Sequence, residues 1–168
     1  MEDTIRKLAF FAPLAAVLAI AAGPAAAGPA SITVTYGGDL RDRVDELGER
    51  EVQDQADRLV AVVRRALARG SALDGARLEL VLTDLKPNRP TFQQLADRPG
   101  LDGHRSMSIG GATIEGQITT ADGRIVPVRY DWYSPSLADV FGYDTWEDAE
   151  RAYRRLAANL ADGRYVTR

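Results

Sequence analysis

The chain contains no cysteine in 168 residues. No disulfide can staple it, no thiolate zinc site can form, and no thiol is available to carry the lipid of a bacterial lipoprotein. Histidine is nearly as scarce, with His104 the only one. Basic charge is not in excess: lysine and arginine number 21 against 24 acidic residues, a net charge of −3. That balance argues against a nucleic-acid partner, whose phosphates call for a basic face. A bilayer-length apolar run is missing too, since a spanning helix needs about 20 such residues. Residues 8–22 are apolar but shorter than that and hold Pro13, which a straight spanning helix tolerates poorly.

What is present begins at that run. Arg6 and Lys7 precede it, and the small residues Ala25, Ala26 and Ala27 follow it. A charged start, an apolar middle and an A-x-A end form the layout of a secretory signal peptide. Cleavage after Ala27 fits best and cleavage after Ala30 is second, with a retained anchor as the alternative to cleavage. The expectation is a signal peptide over residues 1–27 and a single α+β domain over 28–168, periplasmic or secreted, with no membrane span in the mature form. Losing Arg6, Lys7, Glu2 and Asp3 leaves the net charge unchanged. A mature chain of that length can bury a core without disulfides. Beyond residue 27, Lys86 is the only lysine among many arginines, which reads as coding bias in a GC-rich bacterium.

Ser31–Tyr36 alternates Ile32, Val34 and Tyr36 with Ser31, Thr33 and Thr35, the period of a strand. The charged stretch 39–50 has no clear helical character. Val52, Ala56, Leu59, Val60, Val63 and Leu67 line one face of a helix over residues 51–69, with Gly70 to stop it. Residues 77–85 place Leu78, Leu80 and Leu82 on one strand face, and Pro87 and Pro90 end that strand. Thr91 opens a short helical turn. Thr145 is expected to cap a last helix with Asp148 as its reciprocal partner, burying Trp146, Ala149, Tyr153, Leu156, Ala157 and Leu160. Tyr165 and Val166 add a few extended residues.

Register arithmetic settles the hairpin between these helices. A two-residue turn at Asp122 and Gly123 would set Ile118 beside Pro127 and mix the strand faces. A three-residue loop pairs Thr120 with Arg124. It then sets Ile118 against Val126, Gly116 against Val128, Ile114 against Tyr130 and Ala112 against Trp132, all on one face. The same register places Glu115 opposite Arg129 on the outer face.

The element order strand, helix, strand, hairpin, helix predicts an α+β two-layer sandwich. About four mainly antiparallel strands would carry two helices on one face, in a split βαβ or ferredoxin-like order. Four segments carry a resemblance: the run from Asp84 to Phe92, Asp97 to Leu101, Ser108 to Ala112 and Trp146 to Glu150. Together they resemble an uncharacterised family of small exported alphaproteobacterial proteins, over about Ser31 to Gly163. The resemblance implies an exported location and a shared fold, and brings no activity. The element order is more loosely similar to small periplasmic α/β domains of outer-membrane lipoproteins and assembly factors, from which this chain departs by lacking their lipid-bearing cysteine. Such likeness assigns no function.

The candidate chemistry is thin. His104 lies near Ser106 and Ser108, but a spacing of two is too tight for aimed side chains, and no G-x-S-x-G elbow is present. Asp131, Asp139 and Asp144 near Trp132 and Tyr133 invite a glycosidase reading; the simpler one places them on a strand face, in a loop and at a helix N-terminus. Gly100, Gly103, Gly110 and Gly111 lack the phosphate-loop spacing and its lysine. Asn88-Arg89-Pro90-Thr91 is the most distinctive polar run. Arg89 offers a fork for a carboxylate, or pairs with Asp84 or Asp97, and Tyr133 faces outward as a candidate contact. No catalytic residue, metal or cofactor is assigned. The expected function is a non-enzymatic exported protein that binds a protein or envelope component through loops 86–105 and 134–144, with Asn88, Arg89, His104 and Tyr133 as binding residues. The alternative is a periplasmic hydrolase using His104 or an aspartate pair. An outer-membrane assembly subunit with a large exposed apolar patch is a third reading. Oligomeric state is not set by the sequence.

Overall fold

A computed structural model describes residues 28–70, 73–140 and 144–167. The expected signal peptide lies outside the described residues. The elements are β1 (Ser31–Tyr36), α1 (Val44–Leu47), α2 (Glu49–Leu67), β2 (Arg77–Lys86), α3 (Phe92–Asp97), β3 (Gly111–Thr119), β4 (Ile125–Tyr133), α4 (Glu147–Ala161) and β5 (Val166–Thr167). Short 3-10 turns cover Gly38–Arg43 and Leu137–Asp139. The class is α+β, as expected. Among the described residues no helix is long and apolar enough to cross a membrane.

The finer expectation needs correction. The sheet has five strands in the order β1-β2-β3-β4-β5, not four in a ferredoxin-like order. β1–β2 and β4–β5 are parallel, while β2–β3 and β3–β4 are antiparallel. The physical reason is that each amphipathic helix crosses over between two adjacent parallel strands. α2 links β1 to β2 and α4 links β4 to β5, so the chain lays strands down side by side and no strand is inserted between earlier ones. The last two extended residues complete the second unit, which supplies the uncounted strand.

The predicted hairpin register holds throughout, with Ile118 opposite Val126, Gly116 opposite Val128, Ile114 opposite Tyr130 and Ala112 opposite Trp132. Thr120 donates its N–H to Arg124 O at 2.9 Å, closing the three-residue loop, and Gly123 takes its left-handed position at φ +83°. Leu78, Leu80, Leu82 and Leu85 of β2 meet Ile114 and Ile118 of β3 in the buried core, under Leu59, Val63, Tyr153, Leu156 and Leu160 of the two long helices. Each such side chain stabilises the fold by about 1.5–3 kcal/mol. The charged 39–50 stretch does become helical, because Leu40 and Leu47 are wholly buried in this same core.

One irregularity shapes the end of the sheet where β2 finishes. The β2–β3 register shifts between Leu82 and Asp84. This bulge lets Leu85 continue the buried row while Asp84 turns to the outer face. Without it the strict period of two would drive Asp84 into the core.

Candidate functional site

The chemistry collects where β2 ends, in the segment Pro87 to Pro90. Asn88 is buried, and every one of its polar atoms is bonded. Its N–H donates to Thr145 O at 2.7 Å, and its carbonyl accepts from Ser108 N–H at 2.9 Å. Its side-chain carbonyl accepts the N–H of Asp148 at 2.9 Å. Its amide nitrogen donates to Asp148 Oδ2 at 2.6 Å and to Ser108 O at 3.3 Å. Ser134 Oγ donates to the same carboxylate oxygen at 2.7 Å. Asp148 itself is fully buried, and the guanidinium of Arg151 stands 3.6 Å from its other oxygen.

These bonds revise the expected cap. Trp146, not Thr145, is the N-cap of α4, and its side chain makes no capping bond. The orphan donor of the first helical turn is satisfied from another part of the chain, by Asn88, and the Asp148 carboxylate sits where the helix dipole favours negative charge. Gly110 takes part through its smallness: a Cβ there would stand 2.6 Å from Asn88 Nδ2. Thr91 caps α3 with Gln94 in a reciprocal box, a T-x-x-Q signal that the sequence reading did not use.

Arg89 does not pair with Asp84 or Asp97 as expected. It is 95 % buried and donates from Nη1 to the carbonyl of His104, while Asp84 pairs with Arg43 at 2.9 Å and Asp97 accepts from Gln93. Buried arginine needs fixed acceptors, and the 104 carbonyl is held in place by the turn around Asp102. The Asp102 carboxylate accepts the N–H groups of His104 and Arg105, which hold it below the usual carboxylate range. The His104 side chain is exposed. Ser106 Oγ accepts from Asp102 N–H and Ser108 Oγ donates to Pro87 O, so both neighbouring hydroxyls are engaged by backbone.

Tyr133 is half-buried, with its hydroxyl shared between Thr113 Oγ1 at 2.7 Å and Asp84 Oδ2 at 2.8 Å. Burial, and then the Asp84 charge, push its phenol above the ordinary value against the opposing effect of the Thr113 bond. The bulge that turned Asp84 outward made this contact. The aspartates considered for catalysis separate: Asp131 lines a cavity with Trp132 and Arg155, Asp144 lines another with Glu51 and Trp146, and Asp139 accepts from Ser136. Among the described residues no three His, Cys, Asp or Glu side chains gather to hold a metal ion.

A cleft of about 340 Å³ opens on this end of the molecule. Arg43, Lys86, Arg89 and Arg98 line it, together with Met107 and Ile109, and none of its lining residues is acidic. Glu46 bonds Arg98 at 2.9 Å, and Asp84 bonds Arg43 and stands 3.8 Å from Lys86. These two carboxylates serve three cations, Arg43, Lys86 and Arg98, which leaves an excess of positive charge. Lys86 also lies 5.0 Å from the centre of the Tyr133 ring. The sequence marks Arg89 and carries Lys86 and Arg98 in the same 86–105 loop, but nothing local brings Arg43, from a distant segment, beside them.

Residues 106–109 form one wall of the cleft. Ser108 directs its N–H and C=O toward Asn88. The N–H groups of Met107 and Ile109 find no acceptor among the described residues, and both residues are more than a third exposed. The chain matches no family model and no curated protein.

Proposed function

We propose that this is an exported, non-enzymatic binding domain, and that its cleft takes an extended peptide segment carrying carboxylates from a protein of the cell envelope. One juxtaposition carries the reading: the N–H groups of residues 107 and 109, without an acceptor among the described residues, stand beside a cleft lined by Arg43, Lys86 and Arg98. Strand addition along 106–109 would supply main-chain hydrogen bonds, the arginines would select carboxylates, and the exposed Met107 and Ile109 would hold alternate apolar side chains. The secretory layout of residues 1–27 and the resemblance to small exported alphaproteobacterial proteins support the envelope as the setting. Rigidity supports the same use: Arg89 and Ser108 are held by backbone partners, so little ordering cost falls on binding.

The test uses fluorescent peptides of alternating valine and glutamate, with alternating valine and lysine as the control. The acidic peptide should bind and the basic one should not. Lys86→Glu with Arg98→Glu should weaken binding at least tenfold, since these exposed side chains lose attraction without loss of core. Ile109→Pro removes an N–H that has no partner in the protein and should abolish binding while leaving the thermal midpoint unchanged. Equal binding of both peptides would discard the reading.

A further inference from the structure

We infer that Gly28 is the mature N-terminus and that its α-ammonium forms an ion pair with Asp74, so that removal of the leader turns an existing hydrogen bond into a charged tie. The inference rests on the secretory reading of residues 1–27 and is independent of the peptide cleft. Gly28 N donates to Asp74 Oδ1 at 2.8 Å. Gly28 O accepts from Gly75 N at 3.0 Å, and Ala30 N donates to Ala76 O at 2.8 Å. Residues 28–30 thus extend the parallel β1–β2 ladder, which begins with Ser31 opposite Arg77. Gly28 also lies against the last turn of α2, where an added Cβ would stand 3.4 Å from Leu67 O. Helix carbonyls concentrate negative partial charge at that end and favour a cation.

Hydrolysis of the Ala27–Gly28 bond by a signal-peptidase-class protease consumes one water. It leaves a carboxylate on Ala27 and an amine on Gly28, protonated at neutral pH. The hydrogen bond to Asp74 then becomes a charge-assisted one. Cleavage after Ala30, the other site the sequence allows, would remove all three bonds and create a positive charge on Ser31 beside Arg77. The two sites look alike as sequence and differ sharply as structure.

The full chain is expressed with export, recovered from the envelope fraction and sequenced from its N-terminus. The expected first residue is Gly28; Ser31, or an uncleaved chain, would overturn the assignment. The ion pair is read separately on the processed protein. Transamination with pyridoxal phosphate, which carries off the nitrogen as pyridoxamine phosphate, converts the Gly28 terminus to a glyoxylyl aldehyde and leaves Lys86 intact. In the wild-type protein this should lower the thermal midpoint by about 3 °C, as expected for a partly buried pair in a domain of this size. In Asp74→Asn it should cause no further loss. Equal losses in both proteins, or none in the wild type, would reject the pair even if the cleavage site stands.

Discussion

β3 and β4 are joined at one end by residues 121–123, and every bond that closes that end links positions four or fewer apart. At the opposite end the same two strands are held by Asn88, Ser108, Ser134 and Asp148, whose bonds link positions as far as 60 apart. The hairpin end obeys local rules of loop length and facing residues. The other end is a buried polar network in which each group depends on partners from distant segments. The hairpin end therefore tolerates change one residue at a time, whereas the network end fails as a unit. The cleft lined by Arg43, Lys86 and Arg98 sits on the second end, where those distant bonds fix its walls.

Three substitutions probe this contrast. Asn88→Ala should have the largest effect. It strips Asp148 of two bonds, orphans a donor in the first turn of α4 and removes the side-chain bond to Ser108 O, with an expected loss of about 3 kcal/mol in urea denaturation. A loss below about 1 kcal/mol would mean that the network is dispensable. At the hairpin end, Gly123→Ala places a Cβ at φ +83° with open space around it, so only backbone strain is felt. About 1 kcal/mol should be lost, with peptide binding at the far cleft unaltered. The smallest effect belongs to Glu115→Ala. Its bond to Arg129 is 3.1 Å long with both side chains well exposed, and about 0.3 kcal/mol is expected in a double-mutant cycle with Arg129→Ala, less in high salt. A value above 1 kcal/mol would show that the open face carries more of the stability than its exposure suggests.

The contrast also explains what was legible in the chain. Ile114, Ile118, Val126 and Val128 announce their shared face because a strand has a period of two, and only one loop length keeps them together. Val52, Ala56, Leu59, Val63 and Leu67 announce α2 in the same way. The strand order was less legible: β5 has two residues, and its pairing with β4 follows from how α4 packs. Arg89 was visible as an unusual cation between prolines, but its partner was misread, because Asp84 had been claimed by Arg43 and Tyr133 across a bulge that the leucine pattern does not mark. Asp148 looked like half of a local capping box, and Asn88 displaced that arrangement from far away in the chain.

By itself, the sequence determined the class of the fold, the two amphipathic helices, the hairpin register and the inward face of the sheet. These follow from side-chain periodicity, which acts between near neighbours and is written in their spacing. The tertiary structure alone decided the neighbours of Asn88, Arg89 and Tyr133, the gathering of Arg43, Lys86 and Arg98 on one cleft, and the bonds of Gly28 to Asp74 and Gly75. Each of those depends on a hydrogen bond or charge contact between segments that meet only after the apolar faces have closed, and directional contacts of that kind leave no periodic trace in the chain.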